Sequence, residues 1–100
     1  MDPAISEMNI SDVVVSTAGR DQGNLYYVVA QDAVYLELAN GKDRTLEHPK
    51  RKKRKHAQKV LRSETRVADK LRLGDKVLNS ELRRDLAFLA GQMQVNNLGG

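Results

Sequence analysis

The residues best equipped for chemistry in this chain are six consecutive cations, Lys50, Arg51, Lys52, Lys53, Arg54 and Lys55, with His56 and Lys59 close behind. No acidic residue interrupts Pro49 to Lys59. Adjacent ammonium and guanidinium groups repel one another, so such a run gains nothing from folding by itself and becomes favourable when a polyanion supplies the missing charge. Nucleic acid is the commonest partner of that kind, because each neutralised phosphate releases a condensed counterion. If about four to six phosphates are engaged, log K falls against log salt with a slope of about −3 to −5. The remaining candidates for chemistry are sparse. There is no Cys, which removes thiolate metal sites and a cysteine nucleophile. His48 and His56 stand among cations, where a divalent metal would be repelled, so no metal is expected; contact from His56 to a phosphate or a 2′-hydroxyl fits better. Ser, His and Asp occur in no nucleophile context, so the chain is expected to be a binding protein, not an enzyme, with no cofactor and no small-molecule substrate.

The charge is unevenly distributed. Met1 to Gly41 has a net charge of −5, Lys42 to Arg72 of +9, and Leu73 to Gly100 is neutral, within a total of +4. An acidic start beside a basic middle implies one polyanion-facing surface. A membrane-surface role is not expected, because Lys50 to Lys59 carries no apolar anchor. A nuclear-import signal is a further reading of such a run. With no secretory pattern at the start and no apolar stretch of membrane-spanning length, the expected location is the cytoplasm.

The elements that must position these cations read as mainly β. Val13-Val14-Val15, Leu25-Tyr26-Tyr27-Val28-Val29 and Val34-Tyr35-Leu36-Glu37-Leu38 are rich in strand-favouring types, and the third alternates, with Val34, Leu36 and Leu38 on one face and Tyr35 and Glu37 on the other. Arg44-Thr45-Leu46-Glu47 reads as a weaker strand, and Ala57-Gln58-Lys59-Val60-Leu61 as a fifth. Asn40-Gly41 signals a type I′ hairpin turn, and Gly19 and Gly23 bracket a loop that needs special backbone angles at both glycines. Pro49 then leaves the basic run in a loop over 49–56, or as an extended bridge. Five short strands predict a small barrel, since closure removes exposed edges. Beyond Leu61 the period becomes helical. Ser63 is the expected N-cap of a first helix that Gly74 stops, and a second begins at Asn79 or Ser80 and stops at Gly91. Tyr27 shares its face with Leu25 and Val29 and belongs to the core, whereas Tyr26 and Tyr35 are candidates for base stacking.

The segment Val13-x-Val15 … Gly19-Arg20-Asp21-Gln22-Gly23-x-Leu25-x-Tyr27-Val28-Val29 resembles the KOW motif, a strand, a glycine-containing loop and a second strand. The resemblance covers Ile10 to Leu61 and extends to the small bacterial KOW-domain proteins that are similar to KOW-containing large-subunit ribosomal proteins of archaea and eukaryotes. It implies an SH3-like, five-stranded β-barrel over 10–61, a helical extension over 62–91, and flexible segments at 1–9 and 92–100. It also implies binding to RNA, ribosomal RNA first, on or near the ribosome and its proteins. Gly19, Asp21 and Gly23 then shape the KOW loop, with Asp21 accepting from loop amides, and Arg20 projects towards phosphate. Relatives place Lys or Arg where this chain has Gln22 and Asn24, so the burden shifts to Lys50–Lys55, His56 and Lys59, with Lys42 and Arg44 extending the patch. Two alternatives share the sequence features: a protein-interaction module of the NusG-like barrel kind in transcription or translation, and a DNA-binding accessory factor.

Overall fold

The computed structural model describes residues 8–99, with side chains described as far as Met93. Five antiparallel strands, β1 (Asp12–Ser16), β2 (Leu25–Gln31), β3 (Tyr35–Ala39), β4 (Lys50–Lys53) and β5 (Ala57–Arg62), form one sheet in the order β4-β3-β2-β1-β5. A single 3-10 turn, Arg54–His56, joins β4 to β5. Two helices follow, α1 (Arg66–Leu73) and α2 (Asn79–Gly99). The fold is therefore mainly β with a helical extension. The sheet is open: β4 and β5 are its edges, although one turn of chain separates them in sequence.

β1 and β2 read as nearly continuous apolar runs because both of their faces are covered. On one face Val13, Tyr27 and Ala39 pack against Val67 and Ala68 of α1 and Leu82 and Leu86 of α2. On the other, Val14, Tyr26, Val28, Leu36 and Leu38 form a second cluster, closed by Met8. Tyr26, expected to be free for stacking, is 1% exposed within that second cluster. Burial of its ring on an apolar face outweighs any gain from leaving it in water. Val34 lies outside the alternation expected of it, because the β2–β3 connection occupies Asp32 to Val34 and leaves it exposed.

A polar knot fastens the helices to the sheet. The Tyr27 hydroxyl donates to Asp85 of α2 and lies 2.8 Å from the Ser63 hydroxyl, while Thr65 Oγ1 donates to Asp85 Oδ2 at 2.8 Å. Burial, then the Asp85 carboxylate, push the Tyr27 phenol up to about 12. This knot also relocates the N-cap. Ser63 is engaged with Tyr27, and Thr65 caps α1 instead, accepting from the Ala68 N–H at 3.2 Å. Gly74 ends α1 in the left-handed region, as its position in the sequence implies.

Residues 44–47 are not a strand. Asn40 organises this segment: its Oδ1 accepts from the N–H groups of Lys42 and Arg44, and its own N–H donates to Arg44 O. The Leu46 N–H goes to Asn79 Oδ1 at the start of α2. These bonds take the Arg44 and Leu46 N–H groups and the Arg44 carbonyl, which a ladder would need. The connection between β3 and β4 is therefore ten residues long, 40–49, not the two-residue hairpin expected. Of Asn40 and Gly41, only Gly41 has positive φ (77°), and a Cβ there would lie 2.2 Å from Asn79 O, so the glycine is needed for close approach to α2. Gly91 does not stop the second helix, which continues to Gly99. Glycine costs about 1 kcal/mol inside a helix, and the preceding turns are held by Leu82, Leu86 and Leu89. The expected flexible tail at 92–100 is thus helical backbone to Gly99; Gly100 and residues 1–7 lie outside the described residues.

Candidate nucleic-acid interface

The basic run does not form a loop: Lys50 to Lys53 are strand β4, in register with Leu38, Glu37, Leu36 and Tyr35 respectively. Successive side chains of a strand point to opposite faces. Lys50 and Lys52 therefore point with Leu38 and Leu36 into the Met8 cluster, the inner positions, and Arg51 and Lys53 lie with Glu37 and Tyr35 on the opposite face, which the helices cover farther along, the outer positions. Like charges become tolerable in adjacent strand positions because the two inner ammonium groups share one carboxylate. Lys52 Nζ is 2.9 Å from Asp21 Oδ1 and Lys50 Nζ is 3.0 Å from Asp21 Oδ2. Lys52 is only 8% exposed, and its remaining protons go to Ser16 Oγ at 2.7 Å and Ala18 O at 2.8 Å, so all three donors have acceptors. Burial would raise the Asp21 carboxyl, but the hydrogen bonds from Lys52, Lys50 and Ser16 outweigh it and hold the group well below the usual carboxylate range.

This arrangement changes the role expected of the β1–β2 loop, residues 17–24. Gly19 (φ 86°) and Gly23 (φ 93°) both adopt the backbone that the sequence implied. Asp21, however, accepts from side chains and not from loop amides. The loop amides are satisfied by backbone carbonyls, Gln22 N–H to Gly19 O and Gly23 N–H to Ser16 O among them. The geometric reason is that the β1–β2 turn closes on its own backbone, which leaves the carboxylate free to face β4. Arg20, next to Gly19, is exposed, with no ion pair among the described residues.

The other cations sort in the same way. Arg54 is held by three acceptors: Asp32 O at 2.9 Å, Met8 O at 3.1 Å and Gln31 Oε1 at 2.5 Å. It joins the β2–β3 turn to the chain before β1. Lys59 pairs with the buried Asp12 at 3.3 Å. His56 is half-buried, and its carbonyl accepts the Thr17 N–H; His48 is exposed. Lys52, Lys50, Arg54 and Lys59 are thus committed within the protein. Arg51 is intermediate. Its side chain is 62% exposed, its guanidinium lies 4.1 Å over the Tyr35 ring, and Nη2 is 3.5 Å from Asp32 Oδ2. Lys53 and Lys55 are exposed and form no ion pair among the described residues. Lys42 and Arg44 are also exposed; Lys42 lines a groove with Gly23, Asn24 and Arg83, so the turn after β3 and the β1–β2 loop meet α2 there.

Sequence reasoning missed Ser16 as a partner of the inner ammonium group, and Arg51 with Tyr35 as a stacked pair. Once the run is read as a strand, period-2 alternation separates Lys50 and Lys52 from Arg51 and Lys53; the partners themselves, Ser16 and Tyr35, come from other strands and had no local signal. Among the described residues no cluster of His, Asp and Glu could hold a metal ion, and no helix is long and apolar enough to cross a membrane. Compared with family models and with curated proteins, the chain matches none.

Proposed function

We propose that this protein binds structured RNA through the outward side of β4 and the adjoining turns, in the manner of a KOW domain. The observation that carries this reading is the division of the basic run. Lys50 and Lys52 anchor the strand to Asp21, while Arg51 and Lys53 of that strand and Lys55 of the following 3-10 turn stay exposed to water without full neutralisation. Preorganised cations on an edge strand favour phosphate contact, because little side-chain and backbone freedom remains to be lost on binding. Arg20 adds a fourth cation from the KOW loop, and Lys42 and Arg44 extend the surface. The strand order, with a 3-10 turn linking the two edge strands, supports an SH3-like reading of the sheet. Ribosomal RNA in the cytoplasm is the partner this reading favours, with shape and phosphate spacing selecting the site, since a helical RNA hides its bases in a deep groove.

The test is the salt dependence of binding. With Lys50, Lys52, Arg54 and Lys59 committed internally, the central cations Arg51, Lys53, Lys55 and Arg20 can engage about three to four phosphates, before any contribution from Lys42 and Arg44. The expected slope of log K against log salt is about −2 to −4, shallower than six free cations would give. A slope near zero, or no binding to structured RNA in dilute buffer, overturns the reading.

A protein-interaction module is the second reading. Leu73, Leu78 and Phe88 of the helical segment are exposed, Phe88 by 58%. Ribosome copurification that RNase abolishes supports the first reading; RNase-resistant pairing supports the second.

A further inference from the structure

Beside the basic edge, past the area the helices cover, the outer face of the sheet forms a cleft of about 240 Å³. Ala30, Gln31, Asp32, Tyr35, Glu37 and Arg51 line it. Two carboxylates, Asp32 and Glu37, stand in this cleft beside the cations. Asp32 has a structural use for one oxygen: Oδ1 accepts the N–H groups of Val34 and Tyr35 at 2.8 and 2.7 Å and holds the β2–β3 turn. Among the described residues, its Oδ2 is contacted by Arg51 at 3.5 Å. Glu37 stands opposite Arg51 in the register, yet the guanidinium leans away over Tyr35, and Glu37 has no ion pair among the described residues. The cleft therefore offers a flat cationic surface, the Arg51 guanidinium backed by an aromatic ring, next to carboxylate oxygens that can only accept.

We infer that this cleft takes an unpaired guanine base, stacked on the Arg51 plane with its Watson–Crick edge turned to the carboxylates of Glu37 and Asp32. Unstacked RNA bases commonly rest on aromatic or guanidinium planes and are read along their exposed edges. Guanine is selected by donor count. Its N1–H and exocyclic amino group lie side by side, and a carboxylate accepts both at once. Adenine and cytosine place a bare ring nitrogen beside their amino group, where it would oppose a carboxylate lone pair. Uracil flanks its one N–H with two carbonyls. The inference rests on the RNA-binding reading and adds sequence selectivity to it.

The test uses the full chain and fluorescence anisotropy with short single-stranded RNAs: oligouridine, and the same strand with one central guanosine, inosine or adenosine. The guanosine strand should bind at least about fivefold tighter than the uridine and adenosine strands, with inosine, which lacks the exocyclic amino group, in between. Glu37→Gln is an exposed change that leaves the turn intact. It should abolish the guanosine advantage while affinity for oligouridine stays level or rises, because a repelling charge has gone. Asp32→Asn keeps an oxygen for the turn and should reduce the advantage as well. Equal affinity for all four strands with a normal salt slope would overturn the guanine site and leave phosphate binding standing. Preference for adenosine, or a Glu37→Gln variant that keeps the guanosine advantage, would also overturn it. Failure to bind any strand in dilute buffer would overturn both readings together.

Discussion

Lys52 and Lys53 are neighbours of the same residue type, and the fold gives them opposite tasks. Lys52 is buried against Asp21, Ser16 and Ala18, and three acceptors saturate its ammonium group. Lys53 faces water across from Tyr35, with no ion pair among the described residues. The difference follows from the two-residue period of a strand, and it divides the whole run: Lys50 and Lys52 hold the architecture, while Arg51 and Lys53 present charge to solvent. A cluster of like charges can thus supply part of its own scaffold, provided one acidic side chain from a distant loop meets its inward half.

The sharpest way to break this division is to remove the shared counter-charge. Asp21→Ala leaves two ammonium groups facing an emptied, poorly hydrated site, and its expected cost is about 3–5 kcal/mol in urea unfolding. A loss under 1 kcal/mol would mean that the inner cluster is not structural. The same group contributes to the acid limb of stability. Its folded pKa is depressed below that of the unfolded chain, so its contribution is present above about pH 4 and declines as pH falls from there towards the lower folded value. The acid limb of the wild-type protein should therefore be steeper than that of Asp21→Asn.

The two lysines can be compared directly. Lys52→Met should cost about 1–3 kcal/mol, less than loss of Asp21, because Lys50 and Ser16 still partner the carboxylate. Lys53→Met should stay within about 0.5 kcal/mol of wild type. Equal thermal shifts for the pair would erase the distinction between inward and outward cations.

Much of this division was legible in the chain. Strands β1, β2, β3 and β5 follow from their β-branched and aromatic runs, and α1 follows from Val67, Leu71 and Gly74, because each signal is local. β4 was hidden for the opposite reason. Lys50–Lys53 has little intrinsic strand preference, and what stabilises it is the exposed edge of β3 together with Asp21, about thirty residues earlier in sequence. Residues 44–47 have better strand composition, yet Asn40 and Asn79 capture their backbone groups. Ser63 carries the right chemistry for an N-cap, and only the position of the Tyr27 hydroxyl reassigns it. The cation cluster itself was visible at once; which of its members face outward depended on recognising it as a strand.

On the alkaline side the Tyr27 knot offers a control whose effect does not involve β4. Its folded pKa, about 12, lies above the unfolded value near 10, so its contribution is fully present below pH 10 and is lost as pH rises towards 12. Tyr27→Phe should cost about 1–2 kcal/mol at neutral pH, by leaving Asp85 one donor short, and should flatten the alkaline limb. Salt-dependent RNA affinity should be unchanged in this variant, since Tyr27 is fully buried and carries no charge at neutral pH. A change in salt slope would show that the helical extension contributes to the charged surface.

The smallest stability effect should accompany the clearest binding effect. Lys53→Ala combined with Lys55→Ala removes two exposed cations and leaves the inner cluster intact, so the melting temperature should barely move. RNA affinity should fall, and the salt slope should become shallower by about 1 to 2, one increment for each phosphate contact removed. The same pair of substitutions at the inner positions, Lys50→Ala with Lys52→Ala, should instead lower the melting temperature first. Any loss of RNA binding there should vanish from the salt slope once it is measured well below the unfolding transition, because those ammonium groups have Asp21 for a counter-charge and little need of phosphate. If the inner pair changes the slope as much as the outer pair does, Asp21 does not outcompete RNA for them, and the cluster opens when RNA binds.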